Sequence, residues 1–408
     1  MPRSFGFLST YPPTQCGLAS FSRSLMRALA TPESGDTAGI VRVMSQAAGD
    51  QPTAPSAVEV VDHLDVRGRY AYRGAAATLN AVDIAVVQHE YGIYGGADGE
   101  QLVDVLDGMR VPVIVVAHTV LESPTRHQSQ VLRQVVAASQ AVVTMSDTAK
   151  TRLIHRYGVA PAKVRVIRHG ASSRVGGHVT EPTARPMILT WGLLGPGKGI
   201  EWAIDGLQRL RDLRPTPEYV VAGQTHPRVR LHEGEAYRSA LAQRADAAGV
   251  GHMLRFVDTY LDDAALAQLV SQAAVVLLPY ESREQVTSGV LVEAVAAGKP
   301  VVATGFPHAV ELLTSGAGQL VPQFDGGSIG DALHRVLTEP GLAGQMATEA
   351  TRLAPSLLWP AVAAQYRSLA DALLTNARPR NTVIPRTVVR PPTLPDAAAL
   401  AGGARASR

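Results

Sequence analysis

Residues 277–304 read LLPYESREQVTSGVLVEAVAAGKPVVAT, and this stretch decides the fold. An apolar run ends at Pro279, and a polar loop leads to a helical pattern that begins near Gly289. The tripeptide Gly298-Lys299-Pro300 closes the helix, because glycine and proline are frequent just beyond helix C-termini. A second β-branched run follows at once. A strand, a loop, a helix and another strand in this order predict one βαβ unit of a parallel sheet.

The same alternation extends through the rest of the chain in two series. Predicted strands lie at 4–9, 39–43, 83–89, 112–118, 141–145 and 163–168 in the first series, and at 187–192, 219–222, 254–257, 274–278, 301–304 and 318–321 in the second. Predicted helices lie at 19–29, 128–138 and 147–157, the last with Ser146 as its N-cap, and at 201–213, 236–248, 263–273, 290–297, 327–337 and 358–374. Two such series predict an α/β protein with two doubly wound parallel sheets.

The polar stretch at 172–186 lacks any period and is rich in glycine and proline, which indicates a linker between two domains. We therefore expect a first domain at 1–175 and a second at 187–356. Residues 376–408 carry six arginines and one aspartate, with many prolines and alanines, and we expect them to be disordered. Ligands of doubly wound folds bind at the carboxyl ends of the strands, so the cleft between the domains is the expected site.

Composition limits the class of protein. The chain is 46% hydrophobic and 18% charged, and its net charge of +3 comes from the arginine-rich C-terminal stretch. A basic body for nucleic acid is therefore not indicated. Cys16 is the single cysteine, which excludes an intrachain disulfide, and we interpret it as a small loop residue. No apolar run is long enough to span a membrane, and we expect a cytoplasmic protein, with peripheral attachment at the inner membrane face left open.

The helix start at Thr287, Ser288 and Gly289 is the first candidate site. A helix N-terminus with small residues presents backbone N–H groups and a positive dipole end, which suit a pyrophosphate or sugar hydroxyls. Glu293 lies about one turn further on, where it could accept hydrogen bonds from a ribose. The structural alternative is a capped helix with Glu293 on its solvated face.

The segment 277–304 resembles the donor-binding signature of glycosyltransferase family 4. Seven of its residues match that signature in register: Glu293, Ala294, Ala296, Gly298, Pro300, Val301 and Val302. Gln285 departs from it, because family members have a glutamate there that approaches the donor sugar. The resemblance implies a GT-B fold with two Rossmann-like domains facing each other across a cleft, and a C-terminal helix at 357–375 that crosses back to the first domain.

A glycine-rich turn at 187–199, MILTWGLLGPGKG, gives a second match to the family. By resemblance, Gly195 contacts the donor and Lys198 meets its phosphate oxygens. Leu193 and Leu194 occupy the place where relatives usually have a second basic residue, and Arg228 and Arg230 are candidates to replace it. Alone, such a turn is more often structural.

Further donor contacts are implied at two glycines. Gly223 ends a predicted strand, where its lack of a side chain would let the backbone approach the donor. Gly17 begins the first helix and resembles the family's glycine loop that faces the donor phosphates. The segment at 255–260, RFVDTY, resembles the stretch whose main chain contacts the nucleotide base.

Histidines end two strands of the first domain. His118 resembles the family histidine that contacts the donor sugar, and we assign it, with Lys198 and Gln285, to the catalytic group. His89 and Tyr91, in the segment HEYG, are assigned to the acceptor. His169 resembles a residue that ends the first lobe in relatives and is interpreted as structural. A structural role is the alternative for both His118 and His89.

The resemblance implies a retaining transferase that moves a hexose from a nucleotide-diphosphate sugar, with GDP-mannose and UDP-glucose as first candidates. The acceptor would be a glycan, a lipid or a small molecule. Neither a metal nor a cofactor is expected, since no Asp-x-Asp motif stands in a suitable loop. Three alternatives remain: a retaining phosphorylase of the same fold, a nucleotide-sugar epimerase, for which the sequence shows no carboxylate pair, and a non-catalytic relative that binds nucleotide sugars.

Overall fold

The computed structural model describes residues 2–44, 59–68, 71–172 and 185–376. Most of the stretch predicted to be a linker and nearly all of the C-terminal tail lie outside these residues.

Seven parallel strands form the described part of the first-lobe sheet. They are β1 (Ser4–Ser9), β2 (Thr37–Met44), β3 (Val60–Asp65), β4 (Ile84–His89), β5 (Val113–Ala117), β6 (Ala141–Thr144) and β7 (Val164–Val166). Their order across the sheet is β3-β2-β1-β4-β5-β6-β7. β4, β5 and β6 are buried along their whole length, as expected of central strands covered by helices on both faces.

Among the described residues, five helices in the connections between these strands cover the sheet: α1 (Gly17–Leu29), α2 (Ala71–Leu79), α3 (Leu102–Asp107), α4 (Arg126–Ala137) and α5 (Asp147–His155). The N-terminus of α1 is capped by Cys16, whose Sγ accepts from the backbone N–H of Ala19. Ser146 caps α5 in the same way through Ala149, which confirms the predicted N-cap. Residues 10–16 join β1 to α1, and Gln15 of this connection contacts Gln224 of the second lobe.

Six parallel strands form the sheet of the second lobe. They are β8 (Met187–Trp191), β9 (Glu218–Ala222), β10 (Leu254–Val257), β11 (Ala273–Leu278), β12 (Val301–Thr304) and β13 (Gly318–Val321), in the order β10-β9-β8-β11-β12-β13. Its helices are α6 (Ile200–Leu207), α7 (Pro227–Glu233), α8 (Ala236–Ala247), α9 (Asp263–Gln272), α10 (Gly289–Ala296), α11 (Pro307–Leu313), α12 (Gly326–Thr338) and α13 (Leu342–Leu357). The α/β class with two doubly wound parallel sheets is confirmed.

The last helix, α14 (Trp359–Asn376), belongs to the first lobe by its packing. Its side chains Trp359, Val362 and Tyr366 lie in one hydrophobic cluster with Phe5 of β1 and Phe21 of α1. Just before it, the backbone of Leu358 pairs with that of Ala171 in a parallel bridge. The end of the first lobe and the start of α14 therefore lie side by side, and the chain passes between the two lobes at this point.

Among the described residues, no helix is both long and apolar enough to cross a membrane.

Candidate active site

A cavity of about 500 Å³ lies between the two lobes, at the carboxyl ends of both sheets. Side chains and backbone from both lobes line it, and most of the predicted donor residues are among them. The predicted site residues that line it are Gly17, His118, Lys198, Gly223, Thr287, Gly289 and Glu293. The cleft expected between the two domains thus contains a cavity large enough for a ligand of ordinary size.

The N-terminus of α10 forms one wall of this cavity. Ser288 is its N-cap: its hydroxyl accepts from the N–H of Leu291 at 3.2 Å, and its own N–H donates to Nδ1 of His308 at 2.9 Å. Ser288 itself is buried and shapes the turn. The N–H groups of Gly289 and Val290 belong to the first turn, which has no intrahelical acceptors, and both residues line the cavity. This wall can therefore donate hydrogen bonds to an anion.

Gly289 also allows the two lobes to approach each other. A Cβ atom placed on it would lie 2.9 Å from Nε2 of His169, closer than real Cβ contacts allow. His169 comes from the end of the first lobe and lines the cavity, although the sequence indicated only a structural role. Its Nδ1 lies 2.7 Å from the carbonyl oxygen of Gly170, to which it donates, and burial lowers its pKa to about 4. His169 is therefore neutral at physiological pH.

Lys198 lies on the same side of the cavity as α10. Its ammonium group is 4.4 Å from the centre of the Tyr280 ring, and this cation–π contact holds the lysine side chain in place. Gly195 does not line the cavity; it packs beside Val229, 3.2 Å from a Cβ placed on it, so its predicted donor contact has no support from the geometry. Arg228 and Arg230, the candidates for a second phosphate ligand, are not among the lining residues either.

The two remaining glycines differ in their surroundings. Gly223 is buried and has φ +133°, a conformation that favours glycine. Gly17 is exposed at the start of α1, and a Cβ on it would meet nothing within 4 Å. Gly223 is thus required by the fold, whereas Gly17 faces open space in the cavity.

His118 follows β5 and lies beneath the cavity. Its Nε2 donates to Oε1 of Gln88 at 2.6 Å, and Phe21 meets it edge-on with 4.9 Å between ring centres. Burial, with smaller contributions from His169 and His89, lowers the pKa of His118 to about 3. With the proton fixed on Nε2, Nδ1 is left to accept a hydrogen bond. A neutral histidine of this kind can orient a sugar hydroxyl.

Glu90 is a lining residue to which the sequence analysis gave no role, although it lies in the segment HEYG. Its Oε2 accepts from the Thr119 hydroxyl at 2.5 Å, and its Oε1 accepts from the N–H of Tyr91 at 3.1 Å. Burial raises the pKa of this carboxyl, and the hydrogen bonds from Thr119 and Tyr91, followed by the charge of Arg228, partly offset the effect. Its position directly after a strand is the signal that could have identified it.

Besides Gly195 and Ser288, three predicted site residues do not line the cavity. His89 and Tyr91 are buried, with 5.0 Å between their ring centres, and Tyr91 packs in a cluster with Val120 and Tyr157. Their acceptor role stays a prediction without support from the cavity. The Nε2 of Gln285 donates to the carbonyl oxygen of Thr287 at 3.1 Å, so this side chain supports the turn before α10.

Side chains also join the lobes across the cleft. Arg23 of α1 forms an ion pair of 3.2 Å with Asp263 of α9, and Ser20 lies 3.4 Å from the Tyr260 hydroxyl. Arg228 donates to the carbonyl oxygen of Gly92 at 3.0 Å. On another edge, Glu311 of α11 accepts from the N–H groups that begin α5. The lobes are thus held together on more than one side of the cavity.

The sequence matches two family models, one in each lobe. "Glycosyltransferase Family 4" matches residues 29–173, and "Glycosyl transferases group 1" matches residues 185–339. The chain is a family 4-like glycosyltransferase of the GT-B fold. The predicted fold and family are confirmed.

Curated relatives of this glycosyltransferase include a D-inositol 3-phosphate glycosyltransferase from Kribbella flavida, 28% identical over 296 residues that cover 65% of this chain and 68% of the relative. An alpha-D-kanosaminyltransferase from Streptomyces kanamyceticus is 24% identical over 233 residues, covering 54% of this chain and 57% of the relative. Both alignments leave about a third or more of each protein unmatched.

Solved structures support the fold of the transferase over nearly its full length. HepE from Anabaena, in complex with UDP and glucose, superposes with a TM-score of 0.68 over 91% of this chain and 100% of HepE, at 18% identity. WaaG, a glycosyltransferase involved in lipopolysaccharide biosynthesis, gives a TM-score of 0.61 over 91% of this chain and 99% of WaaG, at 17% identity.

Proposed function

We propose that this transferase moves a hexose from a nucleotide-diphosphate sugar to an acceptor hydroxyl, with retention of the anomeric configuration. The observation that carries the proposal is the wall formed by Lys198 and the N-terminus of α10, which line one cavity together. A cation and outward-facing N–H groups in the cleft between the lobes suit the two phosphates of such a donor. Retention is supported by the resemblance to family 4.

In the proposed reaction, the bond between the anomeric carbon and the phosphate oxygen breaks as the acceptor oxygen attacks from the same face. Lys198 and the N–H groups of Gly289 and Val290 stabilise the negative charge that grows on the leaving diphosphate. The acceptor proton passes to a leaving phosphate oxygen. His118, neutral and fixed by Gln88, orients the donor sugar through its Nδ1. No divalent metal and no cofactor take part in this proposal.

The donor proposed first is UDP-glucose, because the similar HepE was solved with UDP and with UDP-glucose. GDP-mannose is the second candidate. The name of one curated relative, D-inositol 3-phosphate glycosyltransferase, contains a small polyhydroxyl compound, and we therefore test small polyhydroxyl acceptors first.

The test combines thermal shift and turnover with UDP-, GDP- and ADP-sugars, each with and without EDTA. We expect one nucleotide class to raise the melting temperature and EDTA to leave both binding and turnover unchanged. The variant Lys198→Ala should lower kcat/KM by about a hundredfold, the effect of losing one electrostatic contact to a transition-state charge. Lys150→Ala, on α5 away from the cavity, is the matched control.

Other outcomes would separate the alternatives. Full activity in Lys198→Ala would refute its phosphate role, and an inverted anomer in the product spectrum would refute retention. Breakdown of a disaccharide that depends on inorganic phosphate, without use of any nucleotide sugar, would identify a phosphorylase. Donor binding without turnover over a broad acceptor panel would identify a non-catalytic relative.

A further inference from the structure

Glu90 brings a fixed carboxylate into the cavity wall formed by the first lobe. It follows β4 directly, and its two oxygens are held by Thr119 at 2.5 Å and by the N–H of Tyr91 at 3.1 Å. A carboxylate oxygen can accept two hydrogen bonds, and each oxygen of Glu90 accepts one from the protein, so each can accept one more from a ligand. The side chain lines the cavity, where that capacity faces a ligand.

The other charges of the cavity are already engaged or lie on the opposite wall. Five charged side chains line it among the described residues: Arg23, Glu90, Lys198, Asp263 and Glu293. Arg23 is paired with Asp263 at 3.2 Å. Lys198 comes from the second lobe and serves the donor diphosphate in the proposed function. The described part of the first-lobe wall therefore offers a carboxylate, and its one cationic side chain, Arg23, is already paired.

The histidines of this wall do not supply positive charge. Burial lowers the pKa of His118 to about 3 and that of His169 to about 4, so both are neutral near pH 7. Burial raises the pKa of Glu90, whereas the hydrogen bonds from Thr119 and Tyr91, and then the charge of Arg228, favour its charged form. Arg228 does not line the cavity, is exposed, and donates to the carbonyl oxygen of Gly92 at 3.0 Å.

We propose that Glu90 positions the acceptor and selects a non-anionic polyhydroxyl compound, whose hydroxyl groups donate to its carboxylate. This inference rests on the proposed function, because it assumes that the donor occupies the second-lobe wall. A phosphate or carboxylate group on the acceptor would face Glu90 in the cavity between the lobes, where like charges repel more strongly than in water. The acceptor thus differs in charge from the inositol 3-phosphate in the names of similar transferases.

The experiment measures transfer to matched pairs of acceptors: glucose and glucose 6-phosphate, and myo-inositol and inositol 3-phosphate. We expect wild-type kcat/KM to favour the uncharged member of an accepted pair by at least tenfold. Glu90→Gln keeps the shape of the side chain and removes its charge. It should lower this preference at least tenfold through the acceptor KM, while the donor KM and the rate of donor hydrolysis stay the same. Glu339→Gln, on the surface after α12, is the control.

The outcomes distinguish this inference from the function on which it rests. Transfer that favours the phosphorylated acceptor, or a preference unchanged in Glu90→Gln, overturns the role of Glu90 and leaves the transferase intact. A phosphate preference that disappears in Arg228→Ala would assign acceptor selection to that arginine instead. Absence of both transfer and hydrolysis with every nucleotide sugar would refute the proposed function itself, and the inference with it.

Calorimetry with the nucleotide-loaded protein supplies a readout that does not depend on turnover. Glucose and myo-inositol should bind more tightly to the wild type than to Glu90→Gln, and their phosphates should not. Equal binding of both members of a pair to the wild type would count against charge selection.

Discussion

Gly223 and Gly192 lie so close together that a Cβ atom on Gly223 would come within 2.1 Å of the Gly192 carbonyl oxygen. The two residues end neighbouring strands of the second lobe, and both have positive φ, +133° and +121°. Both also line the cavity. The backbone can run along the cavity floor at this point only because neither residue carries a side chain.

Replacing Gly223 by alanine should therefore destabilise the second lobe. A methyl group there meets backbone atoms, which cannot move aside as a side chain can, and we expect a loss of about 2 to 4 kcal/mol. Urea unfolding of Gly223→Ala against wild type measures it. Gly344→Ala on α13, where a Cβ would meet nothing within 4 Å, is the control. An unchanged midpoint in Gly223→Ala would show that the strand ends can separate without cost.

Replacing Gly17 should affect the donor and leave the fold unchanged. The position is exposed at the start of α1, and a Cβ there has open space around it. If the donor phosphates approach this helix start, the side chain in Gly17→Val should raise the donor KM roughly tenfold or more, as expected when one good contact is lost. The melting temperature should stay the same. A normal donor KM would remove Gly17 from the donor site.

Gln285 should behave as a positioning residue. Its Nε2 donates to the carbonyl oxygen of Thr287, so Gln285→Ala removes one neutral hydrogen bond, worth about 1 kcal/mol. We expect kcat/KM to fall by less than about tenfold, together with a small loss of stability. A loss of a hundredfold or more in kcat at unchanged melting temperature would instead place Gln285 in contact with the donor sugar.

Acid should weaken the folded state through its buried histidines. Burial lowers the pKa of His89 to about 4 and that of His308 to about 3, whereas the unfolded chain takes up these protons near pH 6.5. The unfolded state then binds more protons, so the free energy of unfolding decreases as the pH falls from about 7 toward 4. At pH 5 each such histidine lowers the free energy of unfolding by about 2 kcal/mol.

The variant His308→Asn tests this dependence, because its side-chain oxygen can still accept from the Ser288 N–H. Denaturant midpoints measured from pH 7 to pH 5 should fall less steeply in His308→Asn than in the wild type. His334→Asn, at an exposed position on α12, should follow the wild-type slope. Parallel slopes in all three proteins would contradict the burial argument.

Much of the secondary structure could be predicted from sequence, because buried parallel strands have short runs of β-branched residues. The predictions at 4–9, 254–257, 301–304 and 318–321 match the observed strands residue for residue. β3 was missed, since its sequence VVDHLD places polar side chains on an edge strand that is only partly buried. α13 was missed as well; it follows Gly341 and contains Pro355 in its last turn, and both residues usually indicate helix ends.

The lining of the candidate site was predictable where local backbone patterns place a residue in the cavity, and less so where side chains from different strands pack together. The helix start at Thr287–Gly289 and Lys198 could be identified because glycine, capping and charge patterns are local. Glu90 gave only one local signal, its position directly after a strand, because its contact with Thr119 depends on a residue that follows a different strand. The buried positions of His89 and Tyr91 depend on how α4 and the loop after β5 cover them, and spacing along one chain does not contain that information.

The placement of α14 has a consequence for synthesis on the ribosome. The hydrophobic cluster beneath β1 includes Trp359, Val362 and Tyr366, although the last strand of the same sheet ends at Val166. At about 5 to 20 residues per second, roughly 10 to 40 s pass between the translation of that strand and of this helix. The first lobe to be translated is therefore completed last. During that interval its uncovered apolar surface is a natural substrate for chaperones, while the second lobe can already fold.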